Sequence, residues 1–193
     1  MFSGIVEKTA KAKKIERDGD SLRVCIRLPR GFRLKLGESV LVDGICSTVE
    51  GKTDDGFAVY YMPETLRKTT FSQISDSHLF NLERCLTLGS LIGGHLIDGH
   101  VDTTAKFMSI VGEQEAKLLK FEIGEKFTKY IIYKGSIAVN GVSLTVVSVG
   151  KDFFSVSLVP YTLTHTNLGE LKVGEKVNIE VDLIAKYLEK LIK

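Results

Sequence analysis

Apolar and polar residues alternate with a period near two in several short runs of this chain. RVCIRL (23–28) and FFSVSLV (153–159) are clear cases. That alternation is the mark of a half-buried strand. Further β-rich runs are SVLVDG (39–44), FAVYYM (57–62), SIAVNG (136–141) and LTVVSV (144–149). Asp43-Gly44 and Asn140-Gly141 each lie between apolar runs. Both dipeptides predict two-residue hairpin turns, whose central residues need positive φ. ETLRKTTF (64–71) and YTLTHTNL (161–168) follow Pro63 and Pro160, and proline fits the first turn of a short helix. The clearest helical period is in DLIAKYLEKLIK (182–193). There Ile184, Tyr187, Leu188 and Leu191 form one apolar stripe, and Asp182 is placed to cap the N-terminus. The stripe must be buried, either on the chain's own barrel or against other subunits.

The pattern occurs twice. VDGICSTV (42–49) matches VNGVSLTV (139–146), and YYMPETL (60–66) matches SLVPYTL (157–163), both at a spacing of 97 residues. Thr69 with Thr166, Asn81 with Asn178 and Glu83 with Glu180 keep that spacing. FSGIVEKTAK (2–11) meets IDGHVDTTAK (97–106) at a spacing of 95. Two copies of one folding unit follow, with boundaries expected at 1–94 and 95–182 and a terminal helix at 183–193. Many short strands in each copy predict an all-β fold of two tandem barrels, since closure removes exposed sheet edges. RCLTLGSLIGGHL (84–96) is expected to end the first barrel and begin the first strand of the second.

Composition narrows the class. The chain has 193 residues, 44% hydrophobic and 26% charged, with a net charge of +2. That balance shows no electrostatic footprint for nucleic acid. Three cysteines without a metal-ligand spacing fit a reduced, cytoplasmic protein. The N-terminal stretch has no apolar core like that of a signal peptide, and no run is long enough for a membrane helix.

Differences between the copies mark candidate chemistry. His100 stands against Ile5, Ser143 against Cys46, Tyr161 against Glu64, and Lys134 approaches Leu36. Thr48 and Thr145, like Thr65 and Thr162, are kept in both. Histidine exchanges protons near neutral pH, lysine supplies a charge, and hydroxyls both donate and accept. Taken singly, each has a plain structural reading: a strand histidine, a turn hydroxyl, a small buried thiol. Their coincidence at matched positions points to a site.

MFSGIVE at the start, GGHLIDGHVD (93–102), YKGSIAVNGVSLTV (133–146) and LGELKVGEKVNIEVDLIAKYLEKLI (168–192) closely resemble the riboflavin synthase family, the alpha-subunit type with two lumazine-binding repeats. The resemblance spans the chain. It implies two six-stranded Greek-key barrels and a homotrimer joined by C-terminal helices, with each site between barrels of neighbouring subunits. It also admits lumazine synthase as a partner. The implied reaction is a dismutation in which one 6,7-dimethyl-8-ribityllumazine gives a four-carbon unit to another, without metal or redox cofactor.

Carried over by motif, the first barrel would hold one lumazine with Gly4, Ile5 and Val6, with Cys46, Ser47 and Thr48, and with Tyr60, Tyr61, Met62, Pro63, Glu64 and Thr65. Phe2 and Ser3 would lie near the reacting centre. The second barrel would use Gly99, His100 and Val101, then Lys134, then Ser143, Leu144 and Thr145, and finally Ser157, Leu158, Val159, Pro160, Tyr161 and Thr162. His100, Ser143, Cys46 and Thr145 are the catalytic candidates. Two departures from the usual pattern stand out: Ser47 beside Cys46, and TTFSQISDSHLFNLER (69–84), where a Gly-containing turn is common. A non-catalytic lumazine- or flavin-binding antenna protein is the alternative. A barrel for single-stranded nucleic acid would want a basic groove with stacking aromatics.

Overall fold

A computed structural model describes residues 1–192. The fold is mostly β, with two units and few helices. In the second unit, strands β8 (Thr103–Glu113), β9 (Ala116–Glu122), β10 (Ser136–Val139), β11 (Val142–Val149), β12 (Phe153–Leu158) and β13 (Lys176–Val181) close a barrel in the order β10-β11-β12-β9-β8-β13. In the first, β1 (Lys8–Asp18), β2 (Ser21–Arg27), β3 (Ser39–Val42), β4 (Ile45–Thr48), β5 (Gly51–Thr53), β6 (Gly56–Tyr61) and β7 (Leu79–Arg84) form an open sheet in the order β4-β3-β7-β1-β2-β6-β5. The expectation of two closed barrels therefore holds for one unit, and the other is a half-barrel.

The difference has a local cause. β4 and β5 together occupy the place of β11, and their break falls at Val49 and Glu50. The same place in β11 carries a register shift between Val146 and Ser148. The second unit absorbs the irregularity as a bulge, and the first splits there. Each unit has its own apolar core. Val24, Phe57 and Phe80 lie in the first, and Phe107, Phe121 and Phe154 in the second.

The expected hairpin turns are present. Asp43 and Gly44 have φ of 47° and 82°, and Asn140 and Gly141 have 45° and 76°. The turns pack on each other. A Cβ at Gly44 would stand 2.8 Å from Gly141 N, and one at Gly141 would stand 2.7 Å from Gly44 N. Around them Asn81 Nδ2 donates to Asn140 O and Asn178 Nδ2 to Asp43 O, each at 2.9 Å. These bonds satisfy buried carbonyls across the junction.

Two short helices, α1 (Pro63–Lys68) and α3 (Pro160–His165), start at the prolines, and each leads into a 3₁₀ turn. A further short helix, α2 (Glu125–Thr128), was not expected. The last helix, α4 (Leu183–Ile192), is capped by Asp182, whose Oδ1 accepts from Ile184 N at 2.8 Å. Lys193 lies outside the described residues. The helix docks on its own unit by its polar face. Lys186 meets Asp102, and Glu189 meets Lys129 and Tyr130. Ile184, Tyr187, Leu188 and Leu191 stay exposed. Residues 86–96 form no regular strand, so the expected first strand of the second unit begins only at Thr103.

No helix among the described residues is long and apolar enough to cross a membrane.

Candidate functional site

The start of each unit crosses to the other. Phe2 and Ile97 form a two-way bridge, with Phe2 N to Ile97 O at 2.8 Å and Ile97 N to Phe2 O at 3.0 Å. Beyond it, Ser143 N donates to Gly4 O at 2.9 Å, and Cys46 N donates to Gly99 O at 2.8 Å. Val6 packs on the second unit's core and Val101 on the first's. The chains then return: Glu7 N bonds Leu82 O, and Asp102 N bonds Ile179 O. The crossing demands glycine. Gly4 and Gly99 have φ of 76° and 80°, and a Cβ on either would stand 2.7 Å from the backbone N of Ser143 or Cys46.

This exchange corrects the expected grouping of site residues. Gly99, His100 and Val101 line a cavity of about 380 Å³ with Cys46, Glu64 and Thr65 of the first unit. Gly4 correspondingly lies on Ser143 of the second. A larger polar groove, about 610 Å³, runs between the segments after α1 and α3. It contains none of the expected site residues. The smaller cavity is the better candidate because it gathers the histidine, thiol, carboxylate and hydroxyl that chemistry requires.

Strand alternation sorts the remaining candidates. Cys46 and Thr48, like Ser143 and Thr145, point out of their units. Ser47, Tyr61, Leu144 and Leu158 point inward and are buried, so their side chains cannot line an outer pocket. Ser47 Oγ is 2.9 Å from the Tyr61 hydroxyl, which gives both buried hydroxyls a partner. Phe2 is fully buried in a small cluster between the units, with Leu41, Ile97 and Ala138. Ser3 is also buried, its N and Oγ donating to Glu83. Tyr60 is half-buried and its hydroxyl donates to Asp18 at 3.3 Å. Ser157 is half-buried at the matching place. Ile5, Met62, Val159 and Pro160 are exposed, with Pro63 and Thr162 half-buried. Tyr161 stacks on His165 at 3.9 Å between ring centroids, where the first unit has Glu64 ion-paired to Arg67.

Lys134 is exposed, with φ of 61°. Its N donates to Val146 O, as Gly37 N donates to Val49 O, both at 2.9 Å. Its structural counterpart is therefore Gly37, at the constant spacing of 97, and not Leu36. A lysine held in the left-handed region costs about 1 kcal/mol or more, which a functional side chain would justify.

Sequence reasoning missed His95. Its Nδ1 lies 2.7 Å from Ser143 Oγ. Burial lowers the His95 pKa, and the Asp182 charge only partly opposes that, so the ring is neutral at pH 7. Gly94 allows the approach, since a Cβ there would stand 2.2 Å from Ser3 O. The Gly93-Gly94 pair before His95 was the available signal. Cys46 differs in kind. Burial raises its pKa, so it remains a thiol and not a thiolate at neutral pH.

Two barrel-like units that exchange their leading segments and enclose a cavity at the crossing define a tandem small-molecule-binding protein. A family model described as the lumazine binding domain matches residues 3–85 and again 98–182. Riboflavin synthase of Bacillus subtilis (strain 168) is 36% identical over 193 residues, covering 100% of this chain and 90% of the relative. That of Mycobacterium tuberculosis (strain ATCC 25618 / H37Rv) is 38% identical over 198 residues, covering 100% and 98%. Among solved structures, LumP complexed with 6,7-dimethyl-8-(1'-D-ribityl) lumazine aligns over 94% of this chain and 99% of that one. Its TM-score is 0.85 at 27% identity. The LumP complex with riboflavin aligns with a TM-score of 0.86 at 28% identity. The chain belongs to the riboflavin synthase family of lumazine-binding-domain proteins.

Proposed function

We propose that the chain is a transferase that converts two molecules of 6,7-dimethyl-8-ribityllumazine into riboflavin and 5-amino-6-(ribitylamino)uracil. The observation that carries this reading is the asymmetry of two matched positions. Ser143 lies against a neutral His95, whereas Cys46, a protonated thiol, lines a cavity with His100. A dismutation uses one substrate as donor and the same substrate as acceptor, so it calls for two similar pockets with unlike chemistry.

The donor must lose a proton from its 7-methyl group, and the acceptor must gain a nucleophile at position 7. The donor's anion is delocalised over the pteridine. Much of the rate therefore comes from holding two rings in register. In our reading Ser143 adds at position 7 while His95 accepts its proton, the serine later departs and takes that proton back, and His100 assists proton transfer at the other ring. The Cys46 thiol acts as a hydrogen-bond donor. Lys134, Thr48, Thr145, Glu64, Thr65, Tyr161 and Thr162 orient the substrates and hold their ribityl chains.

Assembly belongs to the same proposal. The exposed stripe of α4, with Ile184, Tyr187, Leu188 and Leu191, supports a homotrimer in which sites form between subunits. Association with lumazine synthase and a cytoplasmic location complete the reading.

The antenna alternative has one specific observation in its favour, the likeness to LumP in complex with the lumazine and with riboflavin. The hydrogen-bonded pair of His95 and Ser143 favours catalysis. Incubating the purified protein with 6,7-dimethyl-8-ribityllumazine and no added cofactor separates the two. Riboflavin should accumulate. Bound lumazine without conversion would leave the antenna reading standing.

A further inference from the structure

Each crossing segment is fastened by a buried glutamate at the matching position. Glu83 Oε1 accepts from Ser3 N at 2.7 Å and Ser3 Oγ at 2.8 Å, and its Oε2 accepts from Gly4 N at 2.9 Å. Glu180 accepts from Asp98 N and Gly99 N, both at 2.9 Å, and from His100 N at 3.1 Å. A second acid secures the return of each segment. Glu7 accepts from Arg84 N and Asp102 from Val181 N, each at 2.9 Å.

The copies part company at the cation. Glu7 is neutralised by the guanidinium of Arg84, on the strand it bonds. The residue matching Arg84 is Val181, which has no charge to offer. Asp102 instead takes its cation from Lys186 of α4, with Nζ at 2.8 Å and both side chains mostly buried. Burial raises the Glu180 pKa, the nearby Asp102 charge adds to that, and the Lys186 charge opposes it. Without the ammonium group, two acidic side chains would stand near one another in a partly dry site with no cation between them.

We propose that Lys186 is a positioning residue for His100. By neutralising Asp102 beside Glu180, it holds the 98–102 segment that delivers His100 and Val101 into the first unit's pocket. Helix α4 thereby sets the geometry of a pocket in the other repeat. Its polar face tunes the site while its apolar stripe remains available for assembly. The inference deepens the proposed reaction and rests on it for its kinetic consequence alone.

The test uses the full chain with Lys186→Met, Lys186→Arg and the double variant Lys186→Met/Asp102→Asn. Light scattering confirms that each has the wild-type mass. Lys186→Met should lower kcat by about tenfold with a smaller change in KM, as expected when a proton-transfer group is misplaced and substrate contacts remain. Arginine should restore kcat. The double variant should recover part of it, because removing the Asp102 charge removes the repulsion. The second readout needs no turnover: the His100 ring signals in proton NMR, assigned with His100→Gln, should shift in Lys186→Met and return in Lys186→Arg. Unmoved His100 signals in Lys186→Met overturn the proposal whatever the enzyme's activity. Failure of the proposed reaction would show separately, as a wild-type protein that forms no riboflavin. If Lys186→Met does not fold, Glu180→Gln should move the same signals, and its failure to do so has the same force.

Discussion

Where the first unit presents Cys46 on β4, the second presents Ser143 on β11, and the two groups have unlike surroundings. Burial keeps the thiol protonated, whereas the serine hydroxyl faces a histidine that burial keeps neutral. The backbone around them is nearly the same, down to the carbonyl of Gly99 or Gly4 that receives the Cys46 or Ser143 amide. The contrast teaches that duplication preserved the frame and divergence worked on the outward-pointing positions. A hydroxyl beside a base can be activated. A thiol held protonated by burial is a weak hydrogen-bond donor and a poor nucleophile.

The sharpest way to break the comparison is to remove each group in turn. Ser143→Ala and His95→Gln should each cut turnover by about 10²-fold or more, the range for losing a positioned acid–base partner. Cys46→Ala should cost less. Steady-state riboflavin formation measures all three, and equal losses at Cys46 and Ser143 would end the claim that the pockets differ in role. His100→Gln belongs to the same series, and full turnover in both it and Ser143→Ala would refute the assignment.

Where the two repeats meet, the comparison predicts equality. Gly44→Ala and Gly141→Ala each force a side chain into a left-handed turn and against the facing turn's backbone. Each should lose about 3 kcal/mol or more in urea unfolding. The two losses should match, since the junction is close to symmetric.

The terminal helix separates the copies again. Deleting residues 183–193 should yield monomers by light scattering if the exposed stripe carries assembly. Leu188→Asp should weaken the oligomer while leaving the contacts of Lys186 and Glu189 in place.

The smallest effect lies at another asymmetric pair. His78 Nε2 is 2.6 Å from Asp43 Oδ2, whereas the matching residues are Glu175 and Asn140. Burial disfavours the charged ring, but the Asp43 charge and hydrogen bond outweigh burial and raise the His78 pKa. The folded protein then holds this proton more tightly than the unfolded chain. Its stabilisation is complete below about pH 6.5 and is lost as pH rises through the raised value. The slope for one proton is at most about 1.4 kcal/mol per pH unit. His78→Gln should flatten thermal stability against pH in that window, and an unchanged profile would remove the pair from the account.

Much of this was legible in the residues. Asp43-Gly44 and Asn140-Gly141 announced their turns because few other dipeptides tolerate positive φ twice. Pro63 and Pro160 marked helix starts for a similarly local reason. Period-two alternation also contained what the motif carry-over overlooked. With Cys46 and Thr48 facing out, Ser47 had to face in, as did Leu144 between Ser143 and Thr145. The open first unit was not legible, because Val49 and Glu50 look no more like a break than Val146 and Val147. Nor was the role of His95, which lies outside the segments matched between the repeats and gains its meaning only from Ser143, 48 residues later in the chain.

By itself, then, the sequence determined the repeat, the strand and turn positions, the terminal amphipathic helix and the membership of the outward-facing polar set. Each of these is written in local spacing, where neighbouring side chains decide the backbone. Only the tertiary structure decided which pocket each residue serves. The crossing of residues 2–6 and 97–101 depends on glycines fitting against a distant backbone and on Glu83 and Glu180 receiving amides some 80 residues away. Such contacts leave no period in the chain. They placed His100 with Cys46 and Gly4 with Ser143, the reverse of what linear order suggests.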